Sequence, residues 1–270
     1  MVEDRGKPLK KCSPGLEIQN LILSLILSYF LYINLQNKTL MSEELSSEGK
    51  CLYCEQVFPQ KEIIKHLAKH LAEKEKTESG TKTQTYCHIV VKADIMFLHL
   101  LVIETASMKI IDSFLRDIWL DCCGHMSAFM KGSEEISMSK KVKDVLINKE
   151  KLVYDYDYGS TTRLSLKGLK YYELNETKNI VLLSRNEPLK IMCSTCGKES
   201  AVSMCTTCCW EKEAFFCRKC AENHEKDCED FADFSEMPVV NSPRMGVCGY
   251  EGGSIDTERD RVYQINKVVR

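Results

Sequence analysis

The residues from Cys193 to Cys228 have the sequence CSTCGKESAVSMCTTCCWEKEAFFCRKCAENHEKDC, which contains eight evenly placed metal-ligand residues. They form three C-x2-C knuckles, each eight residues from the next, and one H-x3-C pair. The four pairs are Cys193/Cys196, Cys205/Cys208, Cys217/Cys220 and His224/Cys228. Because a C-x2-C turn directs two thiolates at one tetrahedral ion, each pair supplies half of a closed zinc site. The stretch therefore predicts two structural zinc ions.

The order of these pairs leaves two pairings open. Either adjacent pairs share an ion, or the sites are cross-braced, with the first pair joining the third and the second joining the fourth. Even spacing and short connectors favour cross-bracing. Cys209 directly follows Cys208, so either thiol is a candidate ligand. The segment has few large apolar residues (Trp210, Phe215 and Phe216), which indicates that metal holds it together.

A second metal motif lies nearer the N-terminus. Its four residues have the spacing C-x2-C-x11-H-x3-H, typical of a C2H2-type zinc finger; they are Cys51, Cys54, His66 and His70. A helix from about Gln60 to Lys76 places both histidines on one face. The helix positions that commonly contact bases are Pro59, Glu62 and Lys65, a poor set for recognising DNA. The motif predicts a third zinc ion and a role in protein contact or scaffolding.

Composition is that of an ordinary globular protein. The chain has 270 residues, of which 44% are hydrophobic and 28% charged, and its formal net charge is −2. Near-neutral charge argues against a broad nucleic-acid surface. The 15 cysteines would suggest disulfides in a short secreted protein, but here twelve Cys and His positions form metal motifs. We therefore expect a reducing, cytoplasmic environment.

The first 40 residues contain a short apolar run. Residues 21–33 have the sequence LILSLILSYFLYI and follow four basic residues. A membrane-spanning helix needs about 20 apolar residues, and no small-x-small cleavage site follows the run. Three interpretations stay open. The segment is an appendage or a translation artefact upstream of a natural start at Met41, a membrane-surface anchor over residues 17–36, or a signal peptide.

Motifs and composition divide the chain into six segments. They are an N-terminal extension (1–40), the C2H2-type finger (41–76), a polar linker (77–85), an α+β domain (86–190), a two-zinc module (191–230) and a C-terminal tail docked on the α+β domain (231–270). The predicted fold class is α+β, with a small mixed or antiparallel sheet, helices packed on it and small zinc-stabilised modules.

Hydrophobic patterns predict the elements of the α+β domain. Tyr86–Ala93 and Ile95–Ile103 are β-rich and long enough for a hairpin. Ser107 precedes apolar residues at intervals of three and four, which predicts an amphipathic helix, and Gly124 is expected to end it as a left-handed cap. Further elements are a short helix within 138–146 and strands at 151–158, 161–170 and 179–184.

Three stretches of the α+β region and the tail form a recognisable set. They are SFLRDIWL followed by CCGHMSAF (113–120 and 122–129), YDYDYG (154–159) and NSPRMGVCGY (241–250). They resemble the plasmid pRiA4b ORF-3-like family over residues 86–253. The resemblance implies an α+β fold and a mobile-element accessory role, and the family has no established biochemical activity. Other members carry a Trp and a His after the glycine of YDYDYG that this chain lacks, so no site built on them is expected.

Two sets of residues outside the zinc motifs are candidates for catalysis. Asp155 and Asp157 lie two apart on a predicted strand and would share one face, where paired carboxylates could bind a metal or act as acid and base. The simpler interpretation is solvated aspartates between packed tyrosines. Cys248 could act as a nucleophile if Arg244 or His125 activates it. The simpler interpretation is a turn-rich tail that docks on the sheet.

Cys122, Cys123 and His125 lie together just past the predicted helix. A metal site is conceivable there, but adjacent cysteines do not easily chelate one ion, and free cysteine is commonly buried, so a structural role is preferred. The predicted function is a zinc-binding, non-enzymatic adaptor with about three structural zinc ions and a protein partner. A nucleic-acid-binding protein is the alternative, followed by a thiol hydrolase or a carboxylate-dependent nuclease.

Overall fold

A nine-stranded antiparallel sheet organises the computed structural model, which describes residues 47–80, 82–146 and 150–259. In chain order the strands are β1 (Glu48–Cys51), β2 (Val57–Pro59), β3 (Gln84–Ala93), β4 (Met96–Ile103), β5 (Ser127–Lys131), β6 (Glu134–Ile136), β7 (Lys151–Tyr156), β8 (Thr162–Leu174) and β9 (Ile180–Asn186). Across the sheet their order is β2-β1-β9-β4-β3-β8-β7-β5-β6. Together with the helices, this sheet confirms the predicted α+β class.

Four α-helices lie in the described ranges. They are α1 (Gln60–Thr77), α2 (Met108–Leu115), α3 (Val142–Val145) and α4 (Arg218–Asp227). α2 continues into a π-helical turn at Arg116–Leu120, and its predicted apolar stripe is buried. Ser107 occupies the N-cap position, but its side chain makes no capping bond. The helical segment ends at Leu120, so the expected cap at Gly124 is wrong. The left-handed backbone of Gly124 (φ +70°) belongs to a later turn.

Burial is greatest at the centre of the sheet. Every residue of β4 is buried, so both faces of this strand are covered. Residues of β8 instead alternate between buried and more exposed over much of its length, as expected for a strand with one face towards the core. β3 pairs with β4 from Tyr86↔Ile103 to Ala93↔Met96, which is the hairpin that the sequence predicts.

The finger is continuous with the main sheet. Its hairpin pairs through β1 with β9, from Gly49↔Asn186 to Cys51↔Ser184. On α1, Ile63, Leu67 and Leu71 are fully buried in the same apolar cluster as the sheet. The end of α1 is also fastened, because Glu75 and Glu78 accept hydrogen bonds from backbone amides at residues 173 and 175. The segment predicted as a linker is therefore short and follows an anchored helix.

The cysteine-rich module has its own small sheet. Its strands are β10 (Ser203–Cys205), β11 (Phe215–Phe216) and β12 (Glu236–Pro238), in the order β11-β10-β12. Because β12 pairs with β10, the module continues to Pro238, past the boundary predicted at residue 230. A small apolar cluster that includes Phe216 and Phe231 lies beside α4.

The tail after the module returns to the sheet domain. Arg185 of β9 donates to the Asn241 carbonyl, and the Ser242 hydroxyl donates to the carbonyl of Trp119 at 2.6 Å. Further along, the backbone amide of Ser254 donates to the carbonyl of Asp117 at 2.7 Å. These bonds dock the tail on β9 and on the π-helical turn that follows α2.

The extension at 1–40, with its apolar run, and the candidate start at Met41 lie outside the described residues. Within those residues, no helix combines the length and the apolar character that crossing a membrane requires. The described chain from Ser47 onward belongs to one compact unit.

Candidate metal centres

The first group of metal-ligand side chains lies in the finger and consists of Cys51, Cys54, His66 and His70, as predicted. The hairpin supplies the two thiols, and α1 supplies the two imidazoles one turn apart. Cys54 Sγ lies 3.2 Å from His66 Nε2, which lies 3.1 Å from His70 Nε2. These separations are close to the edges of a tetrahedral zinc site, about 3.3–3.8 Å for Zn–N and Zn–S bonds of ordinary length. Burial lowers the pKa of His66, which favours the neutral form that binds metal.

The cysteine-rich module contains two further groups, and their pairing is cross-braced. Cys193 and Cys196 meet Cys217 and Cys220, whereas Cys205 and Cys208 meet His224 and Cys228. The cross-pair sulfurs of Cys196 and Cys217 lie 4.0 Å apart, as do those of Cys205 and Cys228.

Helix α4 explains this cross-bracing. Cys217 occupies its N-cap position and Cys220 its first turn, while His224 follows within the helix and Cys228 is at the C-cap. Helix α4 therefore supplies two ligands to each group, and a substitution that disrupts this helix would affect both metal groups.

Local hydrogen bonds favour the thiolate of Cys193, whereas burial raises the pKa of Cys208 and Cys217. Burial opposes ionisation of Cys193, but hydrogen bonds from the backbone amides of Cys217, Cys196 and Thr195 outweigh it and lower its pKa to about 6. Thiolate is the form that binds metal. Cys208 is the thiol that joins the group, while Cys209 is exposed and donates from its sulfur to the Thr206 carbonyl. The structure therefore brings Cys208, and not Cys209, to the other three ligand residues.

A fourth group consists of Cys122, Cys123, His125 and Cys248, whose ligand atoms lie within 4.8 Å of one another. His125 Nε2 is 3.3 Å from Cys248 Sγ, and the sulfurs of Cys123 and Cys248 are 3.5 Å apart. The sequence analysis preferred a structural role for the two adjacent cysteines and His125, and the structure brings all three together with Cys248. Left-handed backbone at Gly124 and at Cys248 (φ +51°) turns both segments towards one point.

Asp155 and Asp157 do not form a carboxylate pair, contrary to the prediction that they share one strand face. β7 ends at Tyr156, and Asp157 has left-handed backbone (φ +64°) beyond the strand. Asp155 binds Arg163 through both carboxylate oxygens, at 2.7 and 2.8 Å. Asp157 binds the buried Arg244 at 2.5 Å, and this hydrogen bond lowers the pKa of Asp157 to about 2.

Arg244 contacts the fourth group through a different residue from the one the sequence suggested. It donates to Cys122 Sγ at 3.7 Å as well as to Asp157, and its guanidinium lies 4.9 Å from the centre of the Tyr156 ring. Asp157 in turn lies 3.7 Å from His125 Nδ1. The three stretches that carry the family resemblance therefore meet at this group. Spacing could not predict this, because Cys248 lies 123 residues from His125.

No protein-family model matches this chain, and no curated protein matches it. A similar solved structure is the crystal structure of a protein of unknown function, MM3350, from Methanosarcina mazei Go1. The sequence identity is 14% and the TM-score 0.33, with 39% of this chain and 70% of that chain covered. Similarity at this level indicates neither a function nor a shared fold.

Proposed function

We propose that the protein is a zinc-dependent, non-enzymatic adaptor that binds a protein partner through its cysteine-rich module. The finger group and the two module groups each offer four protein ligands, and all twelve residues are buried or half-buried. A tetrahedral ion held by four protein ligands has no position left for water or substrate. The ions at these three groups would therefore stabilise structure.

The observation that carries the proposal is a pair of exposed aromatic side chains on the module. Trp210 is 89% exposed and Phe234 is 70% exposed. Their segments are joined, because Thr206 and Thr207 hydrogen-bond to the backbone and side chain of Ser235 at 2.9 and 2.6 Å. We call this the Trp210–Phe234 surface. Large exposed aromatic side chains are typical of protein-binding sites, where tryptophan often contributes a large share of the affinity.

Charge favours a protein partner over a nucleic acid at this surface. Residues 205–236 contain nine acidic and four basic side chains. Thiolate ligands would add further negative charge, because four thiolates exceed the charge of one zinc ion. A polyanion would be repelled, whereas an apolar pocket flanked by basic residues would be complementary.

The choice of zinc follows from the ligand chemistry. Structural zinc prefers four thiolates, three thiolates with one imidazole, or two of each, and these are the sets found at the three groups. Thiolate ligands disfavour Mg²⁺ and Ca²⁺. The described cysteines are free thiols, which is consistent with a reducing compartment such as the cytoplasm. A place in the plasmid pRiA4b ORF-3-like family, and with it a mobile-element accessory role, is part of this proposal and is supported by the sequence resemblance.

One observation favours nucleic acid as the alternative partner. Lys61, Lys65 and Lys69 are exposed on α1, the helix that a C2H2 finger commonly presents to DNA. Lys69 lies 4.0 Å from Glu73, and Lys74 is paired with Glu78 and Glu176. These acidic partners reduce the positive potential of the helix.

The test compares cross-linked partners of the zinc-loaded full chain and its variants in extracts of the source cell. Trp210→Ser/Phe234→Ser removes the surface, and Tyr158→Ser, which changes an exposed aromatic of the sheet domain, is the matched control. We expect recovery of the proteins that cross-link to the module to fall by about 30-fold or more in the double variant, as for hot-spot residues. The control should recover them as the wild-type chain does.

The opposite pattern would contradict the adaptor function. If the double variant retains its partners, while the wild-type chain binds duplex DNA in a salt-dependent way that Lys61→Ala/Lys65→Ala abolishes, the nucleic-acid alternative is favoured.

A further inference from the structure

We propose that Cys122, Cys123, His125 and Cys248 form a fourth zinc site, one that is open to solvent, exchanges its ion readily and fastens the C-terminal tail to the sheet domain. This site is separate from the three that support the adaptor function, and its zinc does not depend on any partner.

The ligand geometry matches that of the other groups. The N–S distance of 3.3 Å is close to the 3.2 Å of the N–S pair in the finger group, and the S–S distance of 3.5 Å is shorter than the 4.0 Å of the S–S pairs in the module. In a tetrahedral zinc site the N–S edge is about 3.5 Å and the S–S edge about 3.8 Å. A small outward shift of the side chains would admit the ion.

The imidazole of His125 is positioned as a metal ligand. Its Nε2 faces the Cys248 sulfur, while Nδ1 lies 3.7 Å from a carboxylate oxygen of Asp157. A carboxylate behind a ligating histidine is the usual means of orienting the ring and increasing its basicity. Arg116 donates to the backbone carbonyl of His125 at 2.8 Å, and the backbone amide of His125 donates to the Tyr156 hydroxyl at 3.3 Å.

A buried cation supports the thiolates. Arg244 is fully buried and donates to Cys122 Sγ, while its other contacts include Asp157, the Ser160 carbonyl and Thr162. Three thiolates and one zinc ion carry a net charge of −1, which the guanidinium helps to balance.

Exposure distinguishes this group from the other three. Cys123 and Cys248 are both exposed, whereas the other groups have only buried or half-buried ligands. Competing ligands in solution can therefore reach two of the four donors without unfolding the chain. Cys248 also has a left-handed backbone that non-glycine residues rarely adopt, and such conformations persist where surrounding contacts hold them.

The site joins parts of the chain that are far apart. A zinc ion here would link the turn that follows the α2 helical segment to the tail. Arg244, four residues before Cys248, also contacts the sheet domain. Gly253 packs so closely on the Asp117 and Ile118 carbonyls that an added Cβ would lie about 2.5 Å from them. Arg244 and Gly253 therefore hold the tail on either side of Cys248 when zinc is lost, so only the segment between them would be released.

The same atoms allow two other outcomes. Cys248, His125 and Asp157 have the order of a thiol-nucleophile triad, and the sulfurs of Cys123 and Cys248 are close enough to approach a disulfide. Metal binding is favoured because a nucleophile needs one thiol and a disulfide needs two. Here three thiols and an imidazole converge.

Zinc content of the full chain, purified under reducing conditions, tests the proposal. We expect four zinc ions per chain, three in Cys123→Ser/Cys248→Ser and four in Cys209→Ser, which changes an exposed cysteine outside the groups. Asp157→Asn should weaken zinc binding at this site by about 10–100-fold, as loss of a supporting carboxylate commonly does. With a chelating dye, one ion should leave well before the other three, and hydrogen exchange should increase only around residues 245–252.

Three results would overturn it. The first is three zinc ions in the wild-type chain after incubation with excess zinc, a count that does not depend on any variant folding. The second is alkylation of Cys248 by iodoacetamide at equal rates with and without zinc, which would favour a free nucleophile. The third is a Cys123–Cys248 disulfide in the reduced preparation. Loss of partner binding at the Trp210–Phe234 surface would not alter any of these readouts.

Discussion

The sheet domain and the cysteine-rich module are stabilised by different interactions. The sheet domain has a continuous apolar cluster that includes Phe97, Leu100 and Trp119, all fully buried. The module has small clusters, and its main one is lined by the ligands Cys208, Cys220 and Cys228. Apolar burial can therefore account for the first region, but a segment with so small a core needs metal. Conditions that remove metal should therefore unfold the module and leave the sheet domain folded.

Loss of metal from the module should have the largest effect. Cys217→Ser removes a ligand at the N-cap of α4, which serves both groups. Structural zinc contributes about 10–16 kcal/mol of apparent binding energy in small zinc modules, so residues 193–228 should lose their hydrogen-exchange protection. The sheet domain should keep its protection, because its apolar cluster is intact.

Hydrogen exchange followed by mass spectrometry measures both regions in one sample, with Cys209→Ser as the control. Chelation of the wild-type chain should reproduce the result. The finger offers an internal comparison, since α1 is also held by Ile63, Leu67 and Leu71 and should retain more protection than α4. Simultaneous loss of protection in the sheet would show that the regions fold as one cooperative unit.

A cavity in the sheet domain should have the converse effect. Leu100 is fully buried in β4, the strand whose residues are all covered. Leu100→Ala should destabilise the domain by about 2–5 kcal/mol, while zinc content stays unchanged. Trp119 is buried in this domain, so its fluorescence during urea denaturation reports the change.

Lys109→Ala, at an exposed position of α2, is the control. Zinc loss from the module at the urea concentration that unfolds Leu100→Ala would contradict independent stabilisation.

Sequence alone predicts the features that depend on local spacing. The knuckles, the finger and the apolar stripe of α2 each follow from residues that are near one another in the chain. β5 and β6 were not predicted, because these short strands at one end of the sheet have little alternation. The extension of the main sheet by β1 was also missed, because its partner β9 is distant and a four-residue strand carries no pairing signal.

The candidate sites show the same division. The even spacing and short connectors of the cysteine pairs favoured cross-bracing. In the structure it results from α4, a local element that carries ligands of both groups. The fourth group forms only when the tail docks, through contacts of Arg244 and Ser242 that no motif encodes. Asp157 was assigned to a strand face because the sequence does not show that β7 ends one residue earlier.

A pH change should act on the sheet domain through a buried histidine pair. His88 Nε2 and His99 Nδ1 lie 3.0 Å apart on β3 and β4. Burial lowers the pKa of His88 to about 4 and that of His99 well below its ordinary value. In the unfolded chain His88 takes up its proton near pH 6.5, whereas in the folded chain it stays neutral until about pH 4. Stability should therefore fall as pH decreases through this window, by about 2 kcal/mol from His88 alone between pH 7 and 5.

Acid also releases zinc, so the test is a difference between two proteins. His88→Leu/His99→Leu replaces both partners with apolar groups, which is commonly tolerated better than removing one. Urea denaturation monitored at Trp119 should show a weaker pH dependence in the double variant. Parallel pH dependences would exclude the pair as the cause.

The smallest effect on stability is expected at the most exposed aromatic residue of the module. Trp210→Ala should change the free energy of unfolding by no more than about 0.5 kcal/mol, because its side chain is almost fully in solvent. Chelator resistance of the module zinc ions should also be unchanged, while partner binding is lost. This separation tests whether metal shapes the module and the aromatic surface serves binding. A destabilised module in Trp210→Ala, measured as faster zinc release, would mean that the tryptophan supports the fold instead.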